Sequence, residues 1–125
     1  MILRLAPLAL GLLIASPAAP AQETRVDIAM SNFEFTPATI HLKAHQPYLL
    51  HLTSDGGHSF AAPAFFAAAT VAPEDRAKIA KGKIEVDEIA PIDIHLTAPA
   101  AGSYEAHCTH FLHASRGMKG VILVE

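Results

Sequence analysis

The sequence predicts an all-β fold, a sandwich of two packed sheets with about seven to eight strands and one short helical insertion. Short segments in which apolar and polar residues alternate recur from residue 26 to residue 124. Turn-forming residues separate these segments, as at Gly56-Gly57, at Pro91 and at residues 99–102. A chain of 125 residues forms one core of ordinary size, so the sequence predicts a single domain.

The predicted strands place apolar residues at alternate positions, which is the period of a strand with one buried face. In chain order these segments are 26–30, 33–35, 39–43, 48–53, 84–89, 92–97, 103–108 and 120–124. So many short strands in one small domain favour a sandwich of two packed sheets.

One stretch between the strands has a different pattern. Residues 62–69 are almost wholly apolar, and residues 73–80 have the form of a short helix. Pro73 suits the first helical turn, and Lys81-Gly82 is typical of a helix end. We therefore expect a helical insertion between two strands.

The first 21 residues have the form of a secretory signal peptide. Arg4 supplies the basic start, an apolar stretch follows, and small residues in an A-x-A pattern precede the cleavage point. Cleavage between Ala21 and Gln22 would leave 22–125 as an exported domain, which in a bacterium predicts the periplasm. No later apolar run approaches about 18 residues, so no transmembrane segment is predicted.

The charge balance excludes one class of partner. The chain has 9 Lys and Arg against 12 Asp and Glu, and a net charge of −3. A mildly acidic domain without a basic stripe is a poor candidate for nucleic-acid binding. The acidic residues of the middle segment are predicted to form a solvated face: Glu74, Asp75, Glu85, Asp87 and Glu88.

The single cysteine, Cys108, needs a separate explanation. It cannot form a disulfide within the chain, and a free thiol is exposed to oxidation in an exported protein. Two interpretations remain open at this point. The thiol is either buried and inert or bound to another group.

Potential metal ligands concentrate around that cysteine. Residues 104–120 contain Cys108, three of the eight histidines and Met118. Thiolate, imidazole and thioether are donors that copper accepts. His58, which follows a Gly-Gly turn, is the best candidate for a further donor from elsewhere in the chain.

Two alternative uses of Cys108 fit the sequence less well. A nucleophilic Cys-His enzyme would also need a base and an oxyanion site, which the sequence does not reveal. Structural zinc sites rarely use methionine.

The pattern Cys108-x4-His113-x4-Met118, with His58 upstream and the closing segment 117–124, resembles the cupredoxin family. These are the blue type 1 copper proteins to which azurin, plastocyanin and pseudoazurin belong. The segment 33–40 fits the same pattern, so the likeness covers nearly all of the predicted mature chain. The resemblance implies a Greek-key β-sandwich in which the helical insertion follows the first ligand histidine.

The resemblance also implies the site, which would hold one Cu(I)/Cu(II) ion. His58, Cys108 and His113 would form a trigonal ligand set, with Met118 as a weak axial ligand. Two other contacts stay open. His110 could replace His113, join it as an extra ligand or point away, and the carbonyl of Gly57 could approach the metal. We favour His113, because a residue two positions from Cys108 in an extended segment projects differently.

A neighbouring position departs from the family pattern. Many cupredoxins carry asparagine after the first ligand histidine, whereas this chain has Ser59. The shorter side chain predicts a weaker link to the region of Thr109.

For function, the resemblance implies one-electron transfer between periplasmic redox proteins rather than enzymatic catalysis. Partners would dock near His113, where Phe111 and Leu112 form an exposed apolar patch, and a monomer is the expected state. The alternative is a periplasmic copper-binding protein for copper handling or tolerance. Both functions use the same site, so the motif does not separate them.

Overall fold

The computed structural model describes residues 11–16 and 22–125, so most of the predicted signal peptide lies outside the described residues. Two five-stranded sheets make up the fold, in the orders β2-β1-β4-β8-β6 and β3-β10-β9-β5-β7. The strands are β1 Thr24–Ser31, β2 Glu34–Thr36, β3 Thr39–Leu42, β4 Pro47–Ser54, β5 His58–Ala61, β6 Thr70–Val71, β7 Lys83–Val86, β8 Ile92–Thr97, β9 Gly102–His107 and β10 Lys119–Val124. The predicted all-β sandwich is confirmed.

The described residues contain ten strands, more than the predicted seven to eight. The additional strands are β5 and β6. All four residues of β5 are buried, so it lacks the alternation that marks a strand with one solvent face. The strand β6 has only two residues and is too short to produce a pattern. The predicted strand 84–89 ends earlier, at Val86, because the chain turns there.

The core lies between the two sheets. The first sheet contributes Ile28, Met30, Leu50, Leu52 and Ile94, all of them buried. The second sheet contributes Phe60, Ile84, Val86 and Ile122. Each such side chain stabilises the fold by roughly 1.5–3 kcal/mol relative to exposure. Parallel pairing of β1 with β4 and of β3 with β10 requires the chain to cross between the sheets, as a Greek-key topology does.

The insertion after β5 contains two short helical segments. An α-helix, α1 at Pro63–Ala68, buries Phe65 and Phe66 against the core, so packing accounts for both rings. The predicted helix at 73–80 is a 3-10 helix at Pro73–Lys78. It ends early because Ala80 forms a β-bridge with Lys83. Of the helices in the described part of the chain, none has the length and apolar character needed to cross a bilayer.

The prediction that Asp75 belongs to a solvated face is wrong, because its side chain points inward and the residue is only 2% exposed. Its carboxylate accepts hydrogen bonds from the backbone N–H of His95 at 2.8 Å and from the Nδ1 of that ring at 2.9 Å. Lys78 Nζ donates to the other oxygen at 2.6 Å. Burial alone would raise the pKa of Asp75, but these hydrogen bonds outweigh it and lower the pKa to about 2.

Replacing Asp75 with asparagine is expected to lower the free energy of unfolding at pH 7 by about 2 kcal/mol. The loss follows because the pKa of this carboxyl falls from 3.8 in the unfolded chain to about 2 in the folded one. The contribution is complete above pH 3.8 and disappears as the pH falls through about 2, so variant and wild type converge in acid. Urea unfolding followed by circular dichroism at several pH values measures this.

The matched control for that experiment is Glu74→Gln, at an exposed neighbour in the same segment. It should change the free energy of unfolding by less than about 0.5 kcal/mol. Equal losses in the two variants would contradict the buried role of Asp75.

Candidate metal centre

Three donor side chains converge at one end of the sandwich. His58 is the first residue of β5, Cys108 follows β9, and His113 lies in the loop before β10. Their ligand atoms all lie within 4.8 Å of one another. His113 Nδ1 is 3.4 Å from Cys108 Sγ and 3.2 Å from His58 Nδ1. His58 and Cys108 are only 2% and 1% exposed, while His113 is partly exposed.

The loop that carries two of these donors is closed by its own backbone. Cys108 N–H donates to the Met118 carbonyl at 3.1 Å, and Met118 N–H donates to the His113 carbonyl at 3.0 Å. Gly117 turns the chain between them with a φ of +102°, which favours glycine. Met118 is fully buried. Main-chain hydrogen bonds thus join Met118 to both Cys108 and His113.

Hydrogen bonds from a neighbouring strand surround the cysteine sulfur. Ser59 N–H lies 3.4 Å from Cys108 Sγ, and Ser59 Oγ lies 3.8 Å from it. The same hydroxyl accepts the backbone N–H of Thr109 at 2.8 Å and contacts Thr109 Oγ1 at 2.8 Å. The serine therefore contacts both the backbone and the side chain of Thr109.

A carboxylate lies near the outer side of His58. Asp55 Oδ1 lies 3.7 Å from His58 Nε2, while Nδ1 of the same ring faces His113. Burial, and then the neighbouring His113 ring, lower the pKa of His58 against the opposing effect of Asp55. A neutral ring has the free nitrogen lone pair that metal binding requires.

An aromatic contact fixes the other imidazole. Phe33 packs edge-on against His113, with ring centroids 5.2 Å apart and planes at 88°. The guanidinium of Arg116 lies over the Phe33 ring, 5.3 Å from its centroid. Phe33 has a φ of +63°, an unusual value for a bulky residue. Such a conformation persists only where the surrounding packing enforces it.

The remaining sequence candidates lie around the centre. His110 is outside the cluster of three donors, and its Nε2 is 2.9 Å from Glu85 Oε2. A Cβ on Gly57 would lie 3.6 Å from the His110 ring, so Gly57 borders this imidazole. Phe111 and Leu112 are 88% and 49% exposed, which makes the loop tip an apolar surface.

The chemistry of the donor set points to one kind of metal. One thiolate and two imidazoles in a buried cluster are typical of a copper site. Among known proteins, a family model described as multicopper oxidase matches residues 14–125. The chain belongs to this family. Within it the chain is a cupredoxin, and the cluster fits one type 1 copper ion.

Solved structures share the fold of this cupredoxin. A dithionite-reduced auracyanin from Roseiflexus castenholzii has a TM-score of 0.58 at 22% identity, over 84% of this chain and 98% of that one. The blue copper protein auracyanin A from Chloroflexus aurantiacus has a TM-score of 0.59 at 17% identity, over 83% and 100%. The Blue Copper Oxidase from Nitrosomonas europaea has a TM-score of 0.62 at 15% identity, over 83% and 39%. A comparison with curated proteins gives no match.

Sequence reasoning missed three residues around the cupredoxin centre. Asp55 stands in a turn, and Glu85 was assigned to a solvated face. Arg116 carries no ligand signal of its own. Glu85 and Arg116 act through contacts between segments distant in the sequence, and Asp55 acts across a tight turn; periodicity along one strand reports neither kind of contact. A signal for Phe33 was present only as part of the family pattern at 33–40.

Replacing Ser59 with alanine is expected to destabilise the apoprotein by about 1–2 kcal/mol, because the Thr109 N–H loses its acceptor. Urea unfolding of the metal-free protein measures this. Ser103→Ala, at an exposed serine of β9, is the matched control and should stay within about 0.5 kcal/mol of wild type. If both variants unfold at the same urea concentration as wild type, the hydroxyl does not stabilise the loop.

Proposed function

We propose that this cupredoxin is an exported one-electron carrier whose single copper ion is held by His58, Cys108, His113 and, as a weak axial ligand, Met118. The observation that carries the proposal is the buried cluster of one sulfur and two ring nitrogens within 4.8 Å. When bound, copper supplies a Cu(II)/Cu(I) couple that accepts and releases one electron.

The chain's own residues would limit rearrangement between the two oxidation states. The backbone bonds between Cys108, His113 and Met118 hold the loop closed. Ser59 contacts the sulfur from the neighbouring strand. Hydrogen bonds to a ligating sulfur and the dryness of its surroundings tune the reduction potential. Rigid donors therefore support electron transfer with little reorganisation.

The partly exposed ligand would provide the route to redox partners. Phe111 and Leu112 expose apolar surface next to His113, in the same loop. Apolar patches of this kind are favoured contact surfaces for other proteins. We propose that redox proteins dock there on a monomeric carrier, with the His113 ring as the electron exit.

Two other functions belong to the same proposal as alternatives. Copper handling or tolerance would use the same donors but would require ready release of the ion. Oxidase activity is the other, since the family carries that description and the chain matches 39% of a blue copper oxidase. The closed loop and the buried donors favour retention of copper, and hence the carrier.

Cu(II) loading is expected to give one copper per chain and an intense thiolate-to-copper absorption band, with a matching electron paramagnetic resonance signal. Cys108→Ser and His113→Ala should lose the band, because each removes a ligand. His110→Ala should keep it, and Met118→Leu should keep it with a changed reduction potential. A wild-type protein without the band would overturn the carrier function and favour zinc or an inert thiol.

An electron carrier and a copper-handling protein differ in their rates of electron self-exchange and of copper release. A carrier should show fast electron self-exchange, measured by nuclear magnetic resonance line broadening in mixtures of the two oxidation states. It should lose Cu(I) only slowly to excess bathocuproine disulfonate. Sluggish exchange together with rapid transfer of Cu(I) to the chelator would favour copper handling instead.

Export to the periplasm is also proposed, with cleavage between Ala21 and Gln22. The A-x-A pattern supports it, as does the start of the first strand at Thr24, just after the cleavage point. N-terminal sequencing of protein from a periplasmic extract should begin at Gln22. Recovery of the chain with Met1 retained, in the cytoplasmic fraction, would contradict export.

A further inference from the structure

A third imidazole lies beside the proposed copper ligands without joining them. The ring of His110 is 5.4 Å from that of His113 and 6.2 Å from that of His58, centroid to centroid. Its plane is tilted by 34° and 38° from theirs, so it lies beside the two rings without stacking on either. Its nitrogens are not part of the cluster of three donors. A contact elsewhere must therefore hold this potential donor outside the cluster.

The contact that does so comes from a different strand. His110 Nε2 donates to Glu85 Oε2 at 2.9 Å, and Glu85 belongs to β7. The other carboxylate oxygen lies 3.4 Å from Lys83 Nζ, two residues back on the same strand. Glu85 also stands directly across from Ser59 in the β5–β7 register. Its backbone is thereby fixed relative to the strand that begins with His58.

The position of His110 matters because of the metal's preferences. Cu(II) favours tetragonal sites rich in nitrogen and oxygen donors, whereas the trigonal site with one thiolate lies between the preferences of Cu(II) and Cu(I). A third imidazole would pull the site toward the Cu(II) geometry and weaken the bond to Cys108. A neutral ring that donates through Nε2 still has a lone pair on Nδ1. The side chain is therefore chemically able to bind if it turns.

We propose that Glu85 is a positioning residue that holds the His110 ring away from the metal and so keeps the site at two imidazoles and one thiolate. The inference rests on the proposed copper site and adds to it a residue that selects among the available ligands. The hydrogen bond is partly exposed, so it shifts the population of ring positions by a limited factor. Its removal should let His110 compete for Cu(II) in part of the molecules.

The experiment compares Cu(II)-loaded wild type, Glu85→Ala, Glu85→Gln, His110→Ala and the double variant Glu85→Ala/His110→Ala. We expect the thiolate band of Glu85→Ala to fall about two- to five-fold per bound copper. The electron paramagnetic resonance spectrum of this variant should show a second, tetragonal Cu(II) signal. Glu85→Gln should stay close to wild type, because its amide oxygen still accepts the Nε2–H bond.

Two variants separate the positioning role from charge or damage to the strand. The double variant should recover the wild-type spectrum, since it lacks the competing ring. Glu88→Ala removes an equal charge at an exposed position of the following loop and should leave the spectrum unchanged. A double variant that keeps the Glu85→Ala spectrum would show that His110 is not the competing ligand, which overturns the inference.

A measurement on the metal-free wild type tests the same contact without any variant. Nitrogen-15 spectroscopy of the His110 ring should find the proton on Nε2, hydrogen-bonded to the carboxylate. A ring protonated only on Nδ1, or a thiolate band that is identical in wild type and Glu85→Ala, would overturn the inference while the copper site stands. Absence of the band in wild type itself would instead overturn the proposed function.

Discussion

The metal centre depends on the pair of main-chain hydrogen bonds that close the loop from Cys108 to Met118. One joins Cys108 to Met118 and the other joins Met118 to His113, so three proposed ligands share one small backbone unit. Main-chain bonds of this kind do not depend on which side chains cover the loop. The loop residues Phe111 and Leu112 can therefore remain at the surface while the donors stay in place.

Two carboxylates lie beside two histidines of this centre. Asp55 lies on the outer nitrogen of His58 and leaves the inner nitrogen toward the cluster. Glu85 accepts the hydrogen bond from Nε2 of His110, whose ring lies beside the cluster. Imidazoles are chemically equivalent donors, so the groups packed around each ring help to set which rings face a metal.

The sequence was most informative where local pattern and tertiary environment agree. Alternation predicted the sandwich, and the spacing of Cys108, His113 and Met118 predicted the type of site. Alternation could not predict β5, which is buried on both faces, or the buried carboxylate of Asp75, which resembles any acid near a helix start. Contacts such as Glu85 with His110 join residues 25 apart in sequence, and only the folded chain brings them together.

The donor cluster and the Asp75–His95 hydrogen-bond network lie on different sheets, so mutations can affect them separately. The three clustered donors come from β5 and the β9–β10 loop of the second sheet, whereas the Asp75–His95 network lies against β8 of the first. Substitutions at well-separated sites without shared partners have nearly additive effects. Substitutions in the Asp75–His95 network can thus change the stability of the fold with little effect on the three clustered donors.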